Sequence, residues 1–116
     1  MSEPLQLLLE QLDVARQQRH TLTYRQLLDV LPLPAPGMQH LARLLEQLGE
    51  HDARQGWPLR SALVVSQAGS NLPRSGFFQH LAEAGIIGMP GDETAARHWH
   101  EQELLRVFTF SYPGGA

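Results

Sequence analysis

The sequence predicts a mostly α fold with a small β element, an α+β domain in winged-helix-like order: a helix-turn-helix, a strand and wing, then C-terminal helices. Three observations carry this. Residues 21–54 hold two amphipathic helical patterns joined by a proline-rich connector. Residues 57–78 read as a strand, a polar loop and a return. The last third goes back to helical spacing behind a capping aspartate. A fold of this kind hosts many activities, so function has to be argued from particular side chains.

Helix 1 is predicted over about residues 4–18. Proline suits a first helical turn, where its missing N–H has no intrahelical partner to lose. Leu5, Leu8, Leu9, Leu12 and Ala15 follow the i, i+3, i+4, i+7 spacing of one buried face, and Leu7 and Val14 widen it. Helix 2 starts behind Thr23, which with Gln26 has the form of a capping box. Tyr24, Leu27, Leu28 and Leu31 repeat the apolar spacing. Pro32, Pro34 and Pro36 end it, because alternate prolines cannot sit inside one helix. The stiff connector over 31–36 is longer than the turn of about three or four residues in a compact helix-turn-helix. Helix 3 opens near Pro36-Gly37, buries Met38, Leu41, Leu44, Leu45 and Leu48, and runs toward Arg54 unless Gly49 weakens it. Gly56 and Trp57-Pro58 stop it.

Residues 59–66 are predicted as a strand, with Leu59, Leu63 and Val65 on one face and Arg60, Ala62 and Val64 on the other. Gln67-Ala68-Gly69-Ser70-Asn71 is turn chemistry. A short helix follows over about 75–84, burying Phe77, Phe78 and Leu81, with Gly85 as its C-cap. Ile86, Ile87 and Met89 line an apolar loop. Asp92 caps a last helix whose apolar positions include Ala96, Trp99, Leu104, Leu105 and Phe108. The helix is expected to reach about Thr109, with a strand over 107–110 as the alternative. Tyr112-Pro113-Gly114-Gly115-Ala116 lacks patterning and reads as a loose end, with one domain over 1–112 and a tail over 113–116.

The chain has 116 residues, 42% of them hydrophobic, enough for one core. It has no cysteine, which excludes disulfides, thiolate nucleophiles and cysteine metal sites. No apolar run approaches the roughly 20 residues that cross a bilayer, and no basic-then-apolar leader opens the sequence. A cytoplasmic protein with no membrane partner is the expectation. The net charge of −3 argues against strong non-specific nucleic-acid binding. Its distribution says more. Residues 16–74 carry seven arginines against four acids, whereas both flanking segments are acidic. The basic excess therefore lies in the helix-turn-helix and strand region, where a DNA-binding reading wants it.

Leu22-Thr23-Tyr24-x-x-Leu27, helix 3, and Pro58-Leu59-x-x-x-Leu63-Val64-Val65 with its glycine-containing loop together resemble the C-terminal winged-helix domain of DNA alkyltransferases and alkyltransferase-like proteins. The last third lies outside this likeness. The resemblance implies that Tyr24 assists nucleotide rotation. It also implies that helix 3 enters a minor groove and supplies an arginine to the vacated stack. The family's Pro-Cys-His-Arg tetrapeptide should fall near residues 60–63, where this chain has Arg-Ser-Ala-Leu. Nor does the tryptophan variant of the binding-only relatives occur there. Alkyl transfer is excluded on chemical grounds, because a serine hydroxyl is a poor nucleophile without an activating base. A broader likeness runs from Leu22 through Gly76-Phe77, with Trp99 and Arg106-Val107-Phe108, to small bacterial proteins without an assigned activity. It implies a shared fold and no chemistry.

The candidate nucleic-acid-binding residues are Tyr24, Gln39, His40, Arg43, Arg54, Arg60 and Arg74. Gln39, His40 and Arg43 would face a groove if helix 3 reads DNA, since glutamine and arginine make bidentate contacts to base edges. The bland reading is a solvated helix face. Tyr24 would touch a phosphate or a base; otherwise it packs its ring and exposes its hydroxyl. Arg54, Arg60 and Arg74 flank the wing with no acid between Ala53 and Ala82 to neutralise them in sequence, and would meet phosphate. Against that stands pairing with acids elsewhere in the fold. Gly69, Ser70 and Asn71 at the loop tip would approach a nucleic acid closely, or simply turn the chain. Six histidines lack metal-ligand spacing, since His98 and His100 diverge on a helix, and no metal or cofactor is expected. No hydrolase elbow or phosphate-cradling loop occurs, so the protein is read as not an enzyme. Double-stranded DNA is the expected partner. A protein-interaction module is the alternative, and a homodimer through helix 1 or the last helix is compatible with either.

Overall fold

The computed structural model describes residues 3–67 and 71–113. Its elements run α1 (Glu3–Gln18), β1 (Leu22–Thr23), α2 (Tyr24–Val30), α3 (Gly37–Gln55), a 3-10 turn (Arg60–Leu63), β2 (Val64–Val65), α4 (Ser75–Glu83) and α5 (Glu93–Thr109). The fold is thus mostly helical with a small two-stranded sheet, and the α+β expectation holds at that level.

The local chemistry explains the boundaries. Thr23 caps α2 in a complete capping box: its Oγ1 accepts from Gln26 N at 3.1 Å, and its own N–H donates to Gln26 Oε1 at 2.9 Å. The proline connector ends α2 at Val30, and its Ala35–Pro36 peptide is cis. Helix α3 passes through Gly49 without a break and stops where Gly56 turns left-handed at φ 75°. Gly85 does the same after α4 at φ 76°. Asp92 caps α5 by accepting from Ala95 N at 2.8 Å. The strand alternative at the end of α5 does not form, since the helix runs to Thr109.

The main core joins Leu8 and Leu12 of α1, Tyr24 and Leu27 of α2, Leu41, Leu45 and Leu48 of α3, Leu63, Val64 and Val107. A smaller cluster of Leu72, Phe78 and Ala96, with Phe77, Ile87 and Trp99 against it, fastens α4 to the start of α5. Two expected core positions lie outside: Val14 is 52% and Leu105 55% exposed. Each lies beyond the edge of its helix's buried stripe.

The predicted strand over 59–66 needs correction. Only Val64–Val65 is extended, and it pairs in parallel with β1, Leu22 opposite Val64 and Thr23 opposite Val65. Arg60–Leu63 coils into the 3-10 turn. The physical reason is that side chains take its backbone N–H groups. Leu59 N–H donates to Glu103 Oε2 at 2.7 Å, and Arg60 N–H to Asp52 Oδ2 at 3.0 Å. The return after the loop is not a strand among the described residues. A single bond from Ser66 N to Leu72 O at 2.8 Å closes it, with Asn71 left-handed at φ 58°. Gly69 and Ser70 of the expected loop tip lie outside the described residues, as do residues 114–116 of the tail. Tyr112, read as the start of a loose end, is instead 7% exposed, and its hydroxyl donates to Pro58 O at 2.8 Å. That long-range bond leaves no local pattern in the sequence.

Candidate functional site

The 3-10 turn is the part around which the site is built, and four polar side chains fix it. Asp52 of α3 is fully buried and accepts from Arg60 three times: from the backbone N–H, from Nε at 3.1 Å and from Nη2 at 2.7 Å. Glu103 of α5 accepts from Leu59 N and, through its other oxygen, from Arg106 Nη1 at 2.6 Å. His100 donates its Nε2–H to Ala62 O at 2.8 Å, which fixes the tautomer because a carbonyl only accepts. Burial pushes the His100 pKa down, partly offset by that bond to Ala62. Tyr112 completes the set by its bond to Pro58 O; burial raises its pKa, and nearby Asp52 raises it further. The Arg60 guanidinium lies 4.9 Å from the Tyr112 ring centre and 5.7 Å from that of Trp57.

With the turn fixed, Ser61 sits against α3. A Cβ on Gly49 would stand 3.2 Å from Ser61 Oγ, so glycine is what lets turn and helix approach. Ser61 is 2% exposed, and its Oγ has no hydrogen-bond partner among the described residues. It helps line a cavity of about 420 Å3 between α2, α3 and the start of α4. The walls are mostly apolar, with Met38, Leu45, Phe77 and Leu81 among them. Tyr24, Gln39, Arg43, Glu46, Arg74 and His80 supply the polar lining. Tyr24 OH accepts from Arg74 N at 3.1 Å, and the Arg74 guanidinium lies 5.9 Å from its ring centre. Burial raises the Tyr24 pKa, so this phenol is neutral at ordinary pH. His80 Nε2 lies 3.0 Å from Glu50 Oε2, within ion-pair reach but too poorly aligned for a hydrogen bond.

Of the seven candidates, Tyr24, Gln39, Arg43 and Arg74 converge on this cavity although α2, α3 and the loop before α4 supply them. Gln39, Arg43 and Arg74 are exposed, and neither arginine has an ion-pair partner among the described residues. The other three go elsewhere. His40 turns its Nδ1 back to Pro36 O at 3.0 Å. Arg54 faces Glu50 at 4.0 Å and borders a separate, more open cleft of about 740 Å3 with Trp57, Trp99 and Arg106. Arg60 is held by Asp52, an acid eight residues before it, and its side chain is only 17% exposed.

Sequence reasoning missed the buried polar set. Ala96, His100, Glu103 and Val107 are the buried positions of α5. Their i, i+4, i+7, i+11 spacing marks one helix face, legible only if polar residues are allowed into it. Among the described residues no group of three or more potential ligands is placed to hold a metal ion, and no helix is long and apolar enough to cross a membrane. No family model, curated protein or solved structure matches this chain.

Proposed function

We propose that this chain is a small, non-catalytic, winged-helix-like DNA-binding protein of regulatory type, acting in the cytoplasm. The observation that carries the reading is that Gln39 and Arg43 on α3 and Arg74 before α4 border one cleft, with both cations unpaired among the described residues. A duplex laid across that cleft would meet the α3 face in a groove and Arg74 at its backbone. The element order α1, β1, α2, α3, β2 and loop supports the winged-helix part of the proposal. Arg60 is left out of the interface, because its guanidinium already satisfies Asp52.

The test is fluorescence anisotropy with a labelled random-sequence duplex over a salt series. Wild type should bind at low salt and weaken as salt rises, through counterion release. Arg43→Ala/Arg74→Ala should weaken binding and flatten the log–log salt slope by roughly 1.8, since each lost phosphate contact removes about 0.9. Arg54→Ala, on the other cleft, should match wild type. Absence of binding at low salt, or equal losses in both variants, would overturn the proposal. The protein-interaction alternative rests on the 86–89 loop, where Met89 is 59% exposed.

A further inference from the structure

We infer that the cavity beneath the proposed interface is a binding site for a small amphipathic anion: an apolar body carrying one carboxylate, sulfonate or phosphate head. Four features point to that chemistry. A volume of about 420 Å3 falls within the range of roughly 300–1,000 Å3 typical of small-molecule sites. Its walls are predominantly apolar, with Met38, Leu45, Phe77 and Leu81 available to an apolar body. Two unpaired guanidinium groups, Arg43 and Arg74, stand against one acid, Glu46, among its described lining residues. Finally, Ser61 brings a buried hydroxyl with no partner among the described residues, ready to bond a polar atom of the ligand.

The anionic head belongs with the arginines. An arginine fork binds a carboxylate or an oxyacid through paired N–H donors. Arg74 is also held in place, because its backbone N–H is bonded to Tyr24 and its guanidinium lies beside that ring. The start of α4 adds to this. Gly76 lines the cavity with open space where a Cβ would be, and α4 has no side-chain cap on its first N–H groups. The same two arginines serve the proposed DNA contact. Resting on that reading, ligand and duplex exclude one another, which would make the protein a ligand-released DNA binder.

The probe pair is 1-anilinonaphthalene-8-sulfonate and its uncharged analogue N-phenyl-1-naphthylamine, which differ by the sulfonate. The sulfonate should bind the full chain saturably at one site, and more tightly than the neutral dye. Arg43→Ala/Arg74→Ala should weaken the sulfonate roughly tenfold or more, the loss expected for charge-assisted bonds, and leave the neutral dye unchanged. Ala42→Phe, which fills the cavity from α3, should abolish both; the exposed arginine positions keep the test decisive if that variant fails to fold. Equal affinity for the two dyes, an unchanged sulfonate affinity in the arginine variant, or no saturable binding overturns the site. Duplex binding lost with the arginines while sulfonate affinity stays constant overturns the ligand and leaves the DNA reading standing. Sulfonate saturation with no duplex binding at low salt supports the ligand and overturns the DNA reading.

Discussion

Asp52 shows how one residue can carry a segment. It is fully buried, and everything it accepts comes from Arg60 except for a contact with His51 Nδ1 at 3.2 Å. Removing it leaves a largely buried cation and an unsatisfied backbone N–H together. Asp52→Ala should therefore destabilise by about 3–5 kcal/mol, the usual range for breaking a buried pair from one side. Urea denaturation at neutral pH reads this directly, and a loss below about 1 kcal/mol would mean the pair behaves as a surface salt bridge. His100 makes a prediction in pH. Burial holds the imidazole neutral in the folded chain, so its pKa lies below the usual 6.5, while the unfolded chain takes up a proton near that value. The stability that depends on neutral His100 is complete above about pH 6.5 and is lost as pH falls toward the depressed folded value. Arg97, which faces it, lowers the pKa further, whereas Glu101 and Glu103 oppose the shift. The urea midpoint of wild type should fall more between pH 7.5 and 5.5 than that of His100→Gln, which keeps an N–H for Ala62 O. Parallel losses would clear His100 as the source.

At the scale of elements, the packing of α3 on the 3-10 turn sets stability against a free hydroxyl. Ser61 Oγ is buried without a partner among the described residues, and it occupies the space a Gly49 side chain would need. Ser61→Ala should be neutral or stabilising by about 1 kcal/mol, since a buried unsatisfied group costs roughly 1–3 kcal/mol. Gly49→Ala alone should gain little, because the helix-propensity gain of about 1 kcal/mol is offset by the 3.2 Å approach. In the Ser61→Ala background that gain should appear, and a double-mutant cycle in urea that came out additive would show the two positions to be independent. Helix ends were legible in sequence for a related reason: their causes are local. Thr23 and Gln26, the prolines after Val30, Gly56, Gly85 and Asp92 each act within a few residues. The strand over 59–66 was not legible, because its N–H partners, Asp52 and Glu103, come from two other helices. The grouping of Tyr24 and Arg74, fifty residues apart, is likewise tertiary, though each was singled out by chemical type.

Across the whole molecule, the two hydrophobic clusters divide the chain unequally. Helices α1, α2 and α3 share the main cluster, which also takes in Val107 near the end of α5. Helix α4 is fastened by the smaller one, through Phe78, and by Leu81 against α3. Apolar burial contributes about 25 cal/mol per Å2, so the smaller cluster should give way first. Native-state hydrogen exchange should accordingly find α4 amides opening at a lower free energy than those of α1 and α3, as a sub-global unit that includes the 84–91 loop. The arrangement bears on the proposed site, because Gly76, Phe77, His80 and Leu81 of α4 form one wall of the cavity. A ligand seated there ties the weaker unit to the stronger one. Saturating 1-anilinonaphthalene-8-sulfonate should thus raise α4 protection more than α1 protection at denaturant concentrations where only local opening contributes. Uniform protection would point instead to binding that stabilises the whole fold without bridging its clusters. Exchange of α4 amides at the global free energy in the free chain would mean that the two clusters already open as one.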